Sequence, residues 1–214
     1  MLHITRFVVN MINENCYLLH DDTNEAVLID CGALYPEEHK AISDFITEHG
    51  LKLTHLFNTH AHFDHLFGAN YIYRTYGTKV ELCRDEVETY EAAEVQMNQF
   101  MNLNLTLSLP PLGNTFADGD TLHFGHTDIK VIETPGHTPG GVCFYIESEK
   151  VLISGDSLFR REIGRCDLPG GNEASLIKAL REKVLTLPNE VKVLPGHGQE
   201  TTIAYEREYN YYLQ

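Results

Sequence analysis

The chain contains no tryptophan and few basic residues: Lys and Arg total 16 against 31 Asp and Glu, for a formal charge of −15 over 214 residues. A surface this negative repels phosphate backbones and anionic headgroups, so nucleic acid and membrane surfaces are poor partners. Bound divalent cations would offset part of that charge, because a carboxylate facing a metal counts in the tally but not in the field. Long apolar runs are also missing. The start, MLHITRFVVNMINENC, holds only Phe7 to Val9 as an apolar stretch, without the basic leader and long apolar segment of a secretory signal, and no run approaches membrane-spanning length. The five cysteines, Cys16, Cys31, Cys83, Cys143 and Cys166, are odd in number, scattered and without a CxxC pair. That pattern argues against a disulfide framework and favours reduced thiols in a cytoplasm, most of them small core residues. With no repeat, low-complexity tract or linker, the length suits one domain, residues 1–214, with a substantial core.

Apolar periodicity gives strands at 4–9, 16–20 and 25–30, the last a buried AVLI run ending in Asp-Cys-Gly. Pro36 suits a first helical residue, and Ala41, Ile42, Phe45 and Ile46 form a helical stripe before Gly50. A strand at 53–57 runs into a histidine cluster. A helix over 66–77 closed by Gly77 and a strand at 79–83 follow, then a helix over 85–101 and an irregular loop over 102–115. The turn Asp118-Gly119-Asp120 opens strands at 121–124, 128–132, 142–146 and 151–154. Asn172 caps a helix whose Leu176, Ile177, Leu180, Val184 and Leu185 share a face; a strand at 191–194 and a short helical tail complete the chain. Two strand-rich halves backed by helices result.

The histidine cluster is THAHFDH. In a loop leaving a strand, residues two apart can point the same way, so His60 and His62 can present their rings to one point and Asp64 and His65 to a neighbouring one. Neutral imidazole and carboxylate are ligands that zinc takes, at about 2.0 to 2.2 Å. A pair of centres about 3.5 to 4 Å apart would need further donors, one of them a bridging carboxylate. Three candidates stand where apolar strand-like runs end among Gly and Pro: His137 in ETPGHTPGG, Asp156 in VLISGDSLF and His197 in VLPGHGQE. Glycine there allows close backbone approach to a buried centre. Taken singly, each has an ordinary reading: a satisfied core histidine, a helix-capping Asp64, a turn aspartate at 156. Together they are too costly to bury without a partner, and metal binding is the expectation. His3, His20, His39, His49, His55, His123 and His126 lack such a setting and are taken as structural or solvent-facing.

The His60, His62, Asp64, His65 spacing resembles the HxHxDH signature of the metallo-β-lactamase superfamily. Within it, NENCYLL, LIDCG, TPGHTPGG, SGDSLF, IGRCDLPGGN and LPGHG are similar to short, single-domain glyoxalase II (hydroxyacylglutathione hydrolase). The resemblance implies an α/β fold, a four-layer αββα sandwich of two mixed sheets flanked by helices with the metals at one edge. It implies that His60, His62 and His137 hold one divalent metal, Asp64, His65 and His197 the other, and that Asp156 bridges them, with Asp64 and Asp156 the catalytic carboxylates. Asp30, Thr59 and Thr138 would support these ligands from behind. Arg165 matches a substrate-binding basic residue, with a salt bridge to Asp167 as the equal alternative. The family pattern carries Thr at the positions of Cys166 and Ser157, and Cys166 is either an ordinary buried cysteine or an oxidation-sensitive thiol. Typical glyoxalase II continues past the last histidine into a helical domain that holds glutathione, whereas this chain ends at Gln214. Recognition would then fall to residues 102–115 and 159–172, or to a partner subunit in a homo-oligomer.

The implied function is metal-dependent hydrolysis of a small-molecule thioester of the hydroxyacylglutathione type. Two metals, zinc first with iron or manganese as alternatives, would lower the pKa of a shared water from about 15.7 toward roughly 7, making the bridging hydroxide the nucleophile. A mononuclear iron centre like that of the persulfide dioxygenases, using His60, His137 and Asp156, is the first rival. Hydrolysis of a lactone, β-lactam or phosphodiester is the second, and metal storage without catalysis is the weakest.

Overall fold

A computed structural model describes residues 1–102, 104 and 106–214. The first sheet holds six strands in sequence order: β1 (His3–Val9), β2 (Glu14–His20), β3 (Glu25–Ile29), β4 (Lys52–Phe57), β5 (Val80–Cys83) and β6 (Thr115–Phe116). β1 to β3 pair antiparallel and β3 to β6 parallel. The second sheet is built from β7 (Thr121–Phe124), β8 (Thr127–Glu133), β9 (Val142–Ile146), β10 (Val151–Gly155), β13 (Lys192–Pro195) and β14 (Thr201–Thr202), in the order β14-β13-β10-β9-β8-β7. Only β10 and β13 run parallel there. A small hairpin, β11 (Leu158–Phe159) with β12 (Glu162–Ile163), stands apart.

Side chains alternate across a strand, so each sheet with two apolar faces must be covered twice. Tyr17, Leu19, Val27, Ile29 and Phe57 point from the first sheet into the middle, against Phe124, Val131, Val142, Phe144 and Ile153 of the second. Their sequence neighbours Cys16, Leu18, Ala26, Leu28 and Leu56 point outward, under Ile42 and Ile46 of helix α1 (Pro36–Glu48) and Ile72 of α2 (Ala69–Tyr76). On the far side Cys143, Tyr145, Leu152 and Val193 lie under Leu176 of α5 (Glu173–Ala179) and Ile203 of α6 (Ile203–Tyr209). The layers are helix, sheet, sheet, helix, as the resemblance implies.

Most element boundaries fall where the periodicity puts them. The expected long helix over 85–101 is instead a single turn, Arg84–Glu86, followed by α3 (Val87–Glu91) and α4 (Ala93–Met101). The break lies at Ala92, with no Gly or Pro to announce it. The helix expected from residue 66 starts at Ala69, because 63–65 form a tight turn of their own, and it ends as expected on left-handed Gly77. Asn172 caps α5 by accepting a hydrogen bond from Ser175 N, and the chain then widens into one π turn, Leu180–Val184, that keeps Leu180 and Val184 buried. Of the loop expected over 102–115, residues 103 and 105 lie outside the described residues, and 106–114 are irregular as expected. Among the described residues no helix is long and apolar enough to cross a membrane.

Candidate metal centre

The first sheet's β4 and the second sheet's β8, β10 and β13 release their chains toward one edge of the sandwich. His60 to His65 follow β4, His137 follows β8, Asp156 follows β10 and His197 follows β13. The loop after β4 cannot form ladder bonds, and side chains take their place. Asp30 accepts from Thr59 N and from the Thr59 hydroxyl, both at 2.7 Å. Asn58 Nδ2 donates to His65 O at 3.1 Å, and Asn10 Nδ2 to Asp64 O at 3.0 Å. Glycine brings the other loops close, as expected. A Cβ at Gly196 would lie 2.3 Å from Asp156 Oδ1, and one at Gly155, whose φ is +48°, 2.3 Å from Thr59 Oγ1.

All seven predicted donors meet there, six of them in two trios with Asp156 between. His60, His62 and His137 offer ring nitrogens within 4.8 Å of one another, and so do Asp64, His65 and His197 with a carboxylate oxygen and two ring nitrogens. His62 Nδ1 is 2.9 Å from His137 Nε2, and His197 Nε2 is 3.1 Å from Asp64 Oδ2. Asp156 stands between the trios: its Oδ1 lies 3.5 Å from His65 Nε2, its Oδ2 3.6 Å from His137 Nε2 and 3.7 Å from His197 Nε2.

Polar groups this buried are nearly always hydrogen-bonded. Here His60 Nε2, His65 Nε2 and Asp156 Oδ1 are buried without a hydrogen-bond partner. Meanwhile His137 Nδ1 is 2.7 Å from Arg165 O, which fixes that nitrogen as the donor and leaves Nε2 a lone pair facing the cluster. Nitrogen and oxygen lone pairs converging from several loops, unsatisfied and buried, fit a divalent cation better than any protein hydrogen bond.

The electrostatics agree. Burial, reinforced by the neighbouring His65, holds His60 well below the usual histidine range, and burial with His137 beside it brings His62 down to about 3, so both rings are neutral donors. Burial also pushes against a charge on His65, but Asp64, Asp156 and Asp30 outweigh it and raise that ring well above its ordinary value. For Asp156 burial acts upward and the adjacent His65 more strongly downward, leaving a firmly ionised carboxylate. The second trio and Asp156 thus make a pocket that favours positive charge.

Among the supporting residues, Asp30 Oδ2 lies 3.0 Å from His65 Nδ1, an ion-pair contact without hydrogen-bond geometry. Sequence reasoning missed two buried carboxylates: Glu14, which accepts from Gly32 N at 3.1 Å, and Glu86, which accepts from Ala61 N. The Arg165 side chain pairs with both oxygens of Asp167 at 2.7 and 2.8 Å while also lining the cavity above the trios. Cys166 is half-buried, with burial raising its thiol pKa, so it has the character of a packing residue; all five cysteines are free.

That cavity holds about 200 Å³ and is walled by Ile12, Phe63 and Leu168 beside Gln96, Gln99 and Phe100 of α4. Residues 165–169 contribute as expected. The expected contribution of 102–115 is not found: among the described residues the opposite wall is α4, anchored by Phe100 on Phe63 with ring centroids 5.4 Å apart. Thr106, Leu107 and Ser108 line a separate groove instead.

Residues 10–197 match the model of the metallo-β-lactamase superfamily. Hydroxyacylglutathione hydrolase GloC of Haemophilus influenzae is 31% identical over 99% of this chain and 98% of its own. Two solved structures cover nearly all of it: BLEG-1 B3 metallo-β-lactamase, with a TM-score of 0.90, 31% identity and coverage of 99% of this chain and 100% of that one, and TTHA1623 in a di-iron-bound form, with 0.85, 34%, 98% and 100%. Fold, donor clusters and matched length agree, and the chain belongs to the metallo-β-lactamase superfamily.

Proposed function

We propose that this metallo-hydrolase cleaves acyl thioesters, with two divalent metals held by the trios and Asp156 shared between them. The observation that carries the reading is the convergence of seven donors on one edge with buried lone pairs left unsatisfied. The likeness to GloC supports a hydroxyacyl thioester as substrate class. Metals bound there would supply an acidified water and a Lewis acid for a carbonyl oxygen. The chain's own residues do the rest. His60 and His62 stay neutral and offer lone pairs; Asp64 and Asp156 supply the negative charge that would balance the cations; Arg165 O, accepting from His137 Nδ1, turns the other nitrogen of that ring toward the cluster, and the Asp30 carboxylate stands against His65. The apolar wall of Ile12, Phe63, Phe100 and Leu168 limits water around the acyl group. A thiolate leaves readily, so no general acid is needed beside it. Among the described residues that line the cavity Arg165, at the rim, is the one Lys or Arg, and it is the candidate contact for a substrate carboxylate.

The mononuclear iron reading accounts for His60, His137 and Asp156 but leaves the second trio without a purpose, and that trio favours two metals. The likeness to BLEG-1 keeps β-lactam hydrolysis as the second reading. Metal content of protein purified without chelators, followed by a screen of thioesters, lactones and β-lactams, tests the proposal. Two metals per chain and thioester cleavage support it; one iron with oxygen uptake, or a β-lactam turned over in preference to every thioester, overturns it. The cysteine pattern and the charge of −15 favour work in the cytoplasm on a small molecule, with no nucleic acid or membrane partner.

A further inference from the structure

Glu86 ends the single helical turn after β5, some distance in sequence from every residue of the donor set, yet its side chain is completely buried. Burying a carboxylate is costly unless each oxygen finds donors. Its two oxygens divide the task. Oε2 accepts from Ala61 N at 2.9 Å and Oε1 from Gly140 N at 2.7 Å. Ala61 separates His60 from His62, and Gly140 belongs to the short turn that carries His137. One carboxylate therefore joins the two loops that supply the first trio.

A second contact points the same way. A Cβ at Gly140 would lie 2.7 Å from Asp85 C and 2.8 Å from Glu86 N, so the His137 loop also rests directly on this backbone, and only glycine leaves room for it. The bond from Val142 N to Thr59 O, 2.8 Å, ties the same loops where they meet the strands. Asp30, a separate carboxylate, holds Thr59 beside His60 and lies 3.0 Å from His65 Nδ1, but it touches only the His60 loop and not the loop of His137. Donor positions in a metal site have to hold within about 0.5 Å, so the spacing of two loops that share a trio is a quantity the fold must fix.

We propose that Glu86 is the positioning residue of the His60, His62 and His137 trio, a buried clamp that sets the spacing of its two loops and so the metal affinity of that half of the centre. The proposal rests on the two-metal reading above. Both N–H groups need an acceptor, and a carboxamide offers only one oxygen while turning its NH₂ group against the other N–H. Glu86→Gln therefore opens one side of the clamp at nearly constant volume.

The test is titration of the metal-free wild type and Glu86→Gln with Co²⁺, read by its visible absorption and by bound stoichiometry, with thermal melts of both metal-free proteins alongside. Wild type is expected to take up two ions. In Glu86→Gln one step should weaken about 10- to 100-fold, the usual range for a group that orients ligands from behind, while the other stays within about twofold. His62→Ala, which removes a donor of the first trio, should weaken that same step and so identify it. If both steps are unchanged, or both weaken equally in proportion to a lowered Tm, Glu86 serves only the fold and the proposal is overturned. If wild type itself binds no ion, the two-metal reading fails first, which is a different result. Should Glu86→Gln not accumulate as folded protein, Glu86→Asp, one methylene too short to reach both loops, is judged by the same criterion.

Discussion

Asp21 and Asp156 sit at opposite ends of the sandwich, and both are held below the usual carboxylate range. At Asp21 burial acts upward but is outweighed by hydrogen bonds, and the carboxyl comes down to about 2. Its donors are the Thr23 hydroxyl at 2.6 Å, Thr23 N at 3.0 Å, His126 N at 2.6 Å and the Thr127 hydroxyl at 3.1 Å, so the turn after β2 is stapled to the turn between β7 and β8. Asp156 is lowered against burial chiefly by the charge of His65, and its Oδ1 has no hydrogen-bond partner. A carboxylate saturated by protein donors needs nothing more and belongs to the fold. One held ionised by charge and left with a free lone pair is arranged for a cation.

Removing each carboxylate should separate these roles. Asp156→Ala is expected to lower thioester hydrolysis by about 10³-fold or more, in the range of losses seen when a charge-stabilising group is removed. It should also lose bound metal, and the metal-free protein should melt somewhat below wild type, because His65 loses one of the carboxylates that balance its charge. Retained metal and activity in this variant would break the contrast. Chelation tests the same end from the ligand side. At a metal concentration 100 times Kd, binding adds about 2.7 kcal/mol to folding, so stripping wild type should lower its melting temperature by several degrees, and stripping Asp156→Ala by far less. An intermediate effect is expected at the rim. Arg165 is already paired with Asp167 and half exposed, so Arg165→Met should change stability by under about 1 kcal/mol. If it meets a substrate carboxylate, KM should rise severalfold with kcat and metal content unchanged; an unaltered KM would leave it to the salt bridge alone.

The donor-rich end is the more legible of the two in the sequence. His60, His62, Asp64 and His65 announce themselves by density, and His137, Asp156 and His197 by standing among Gly and Pro after apolar runs. The sandwich follows from strands with two apolar faces, readable in pairs such as Leu18 and Leu19. Hidden were the residues whose role depends on what tertiary packing brings beside them. Glu86 looks like any charge at a helix start until the His60 and His137 loops close over it, and Gln96 and Phe100 read as ordinary helical positions until the fold sets them on the wall of the cavity beside Phe63. The strands β6, β11, β12 and β14, each two residues long, are too short for alternation to register. Asp21 was equally silent, because its partners His126 and Thr127 come from the other sheet.

Asp21→Asn gives the smallest effect on hydrolysis and the sharpest control. An amide has one acceptor oxygen where the carboxylate has two, so two of the four donors lose their partner, and a loss of about 1 to 2 kcal/mol in stability with unchanged hydrolysis and metal content is expected. Its pH dependence has a definite sign. The carboxyl titrates near 3.8 in a model compound and about 2 in the folded chain, so the unfolded chain takes up this proton first as pH falls. The stabilisation is therefore complete above about 3.8 and is lost as pH drops toward 2. The variant has no proton to take up there, so the gap between the denaturation midpoints of the two metal-free proteins should be constant at higher pH and narrow across that window. A gap that widened on acidification would mean that Asp21 is held by something other than its four donors, and the contrast with Asp156 would lose its basis.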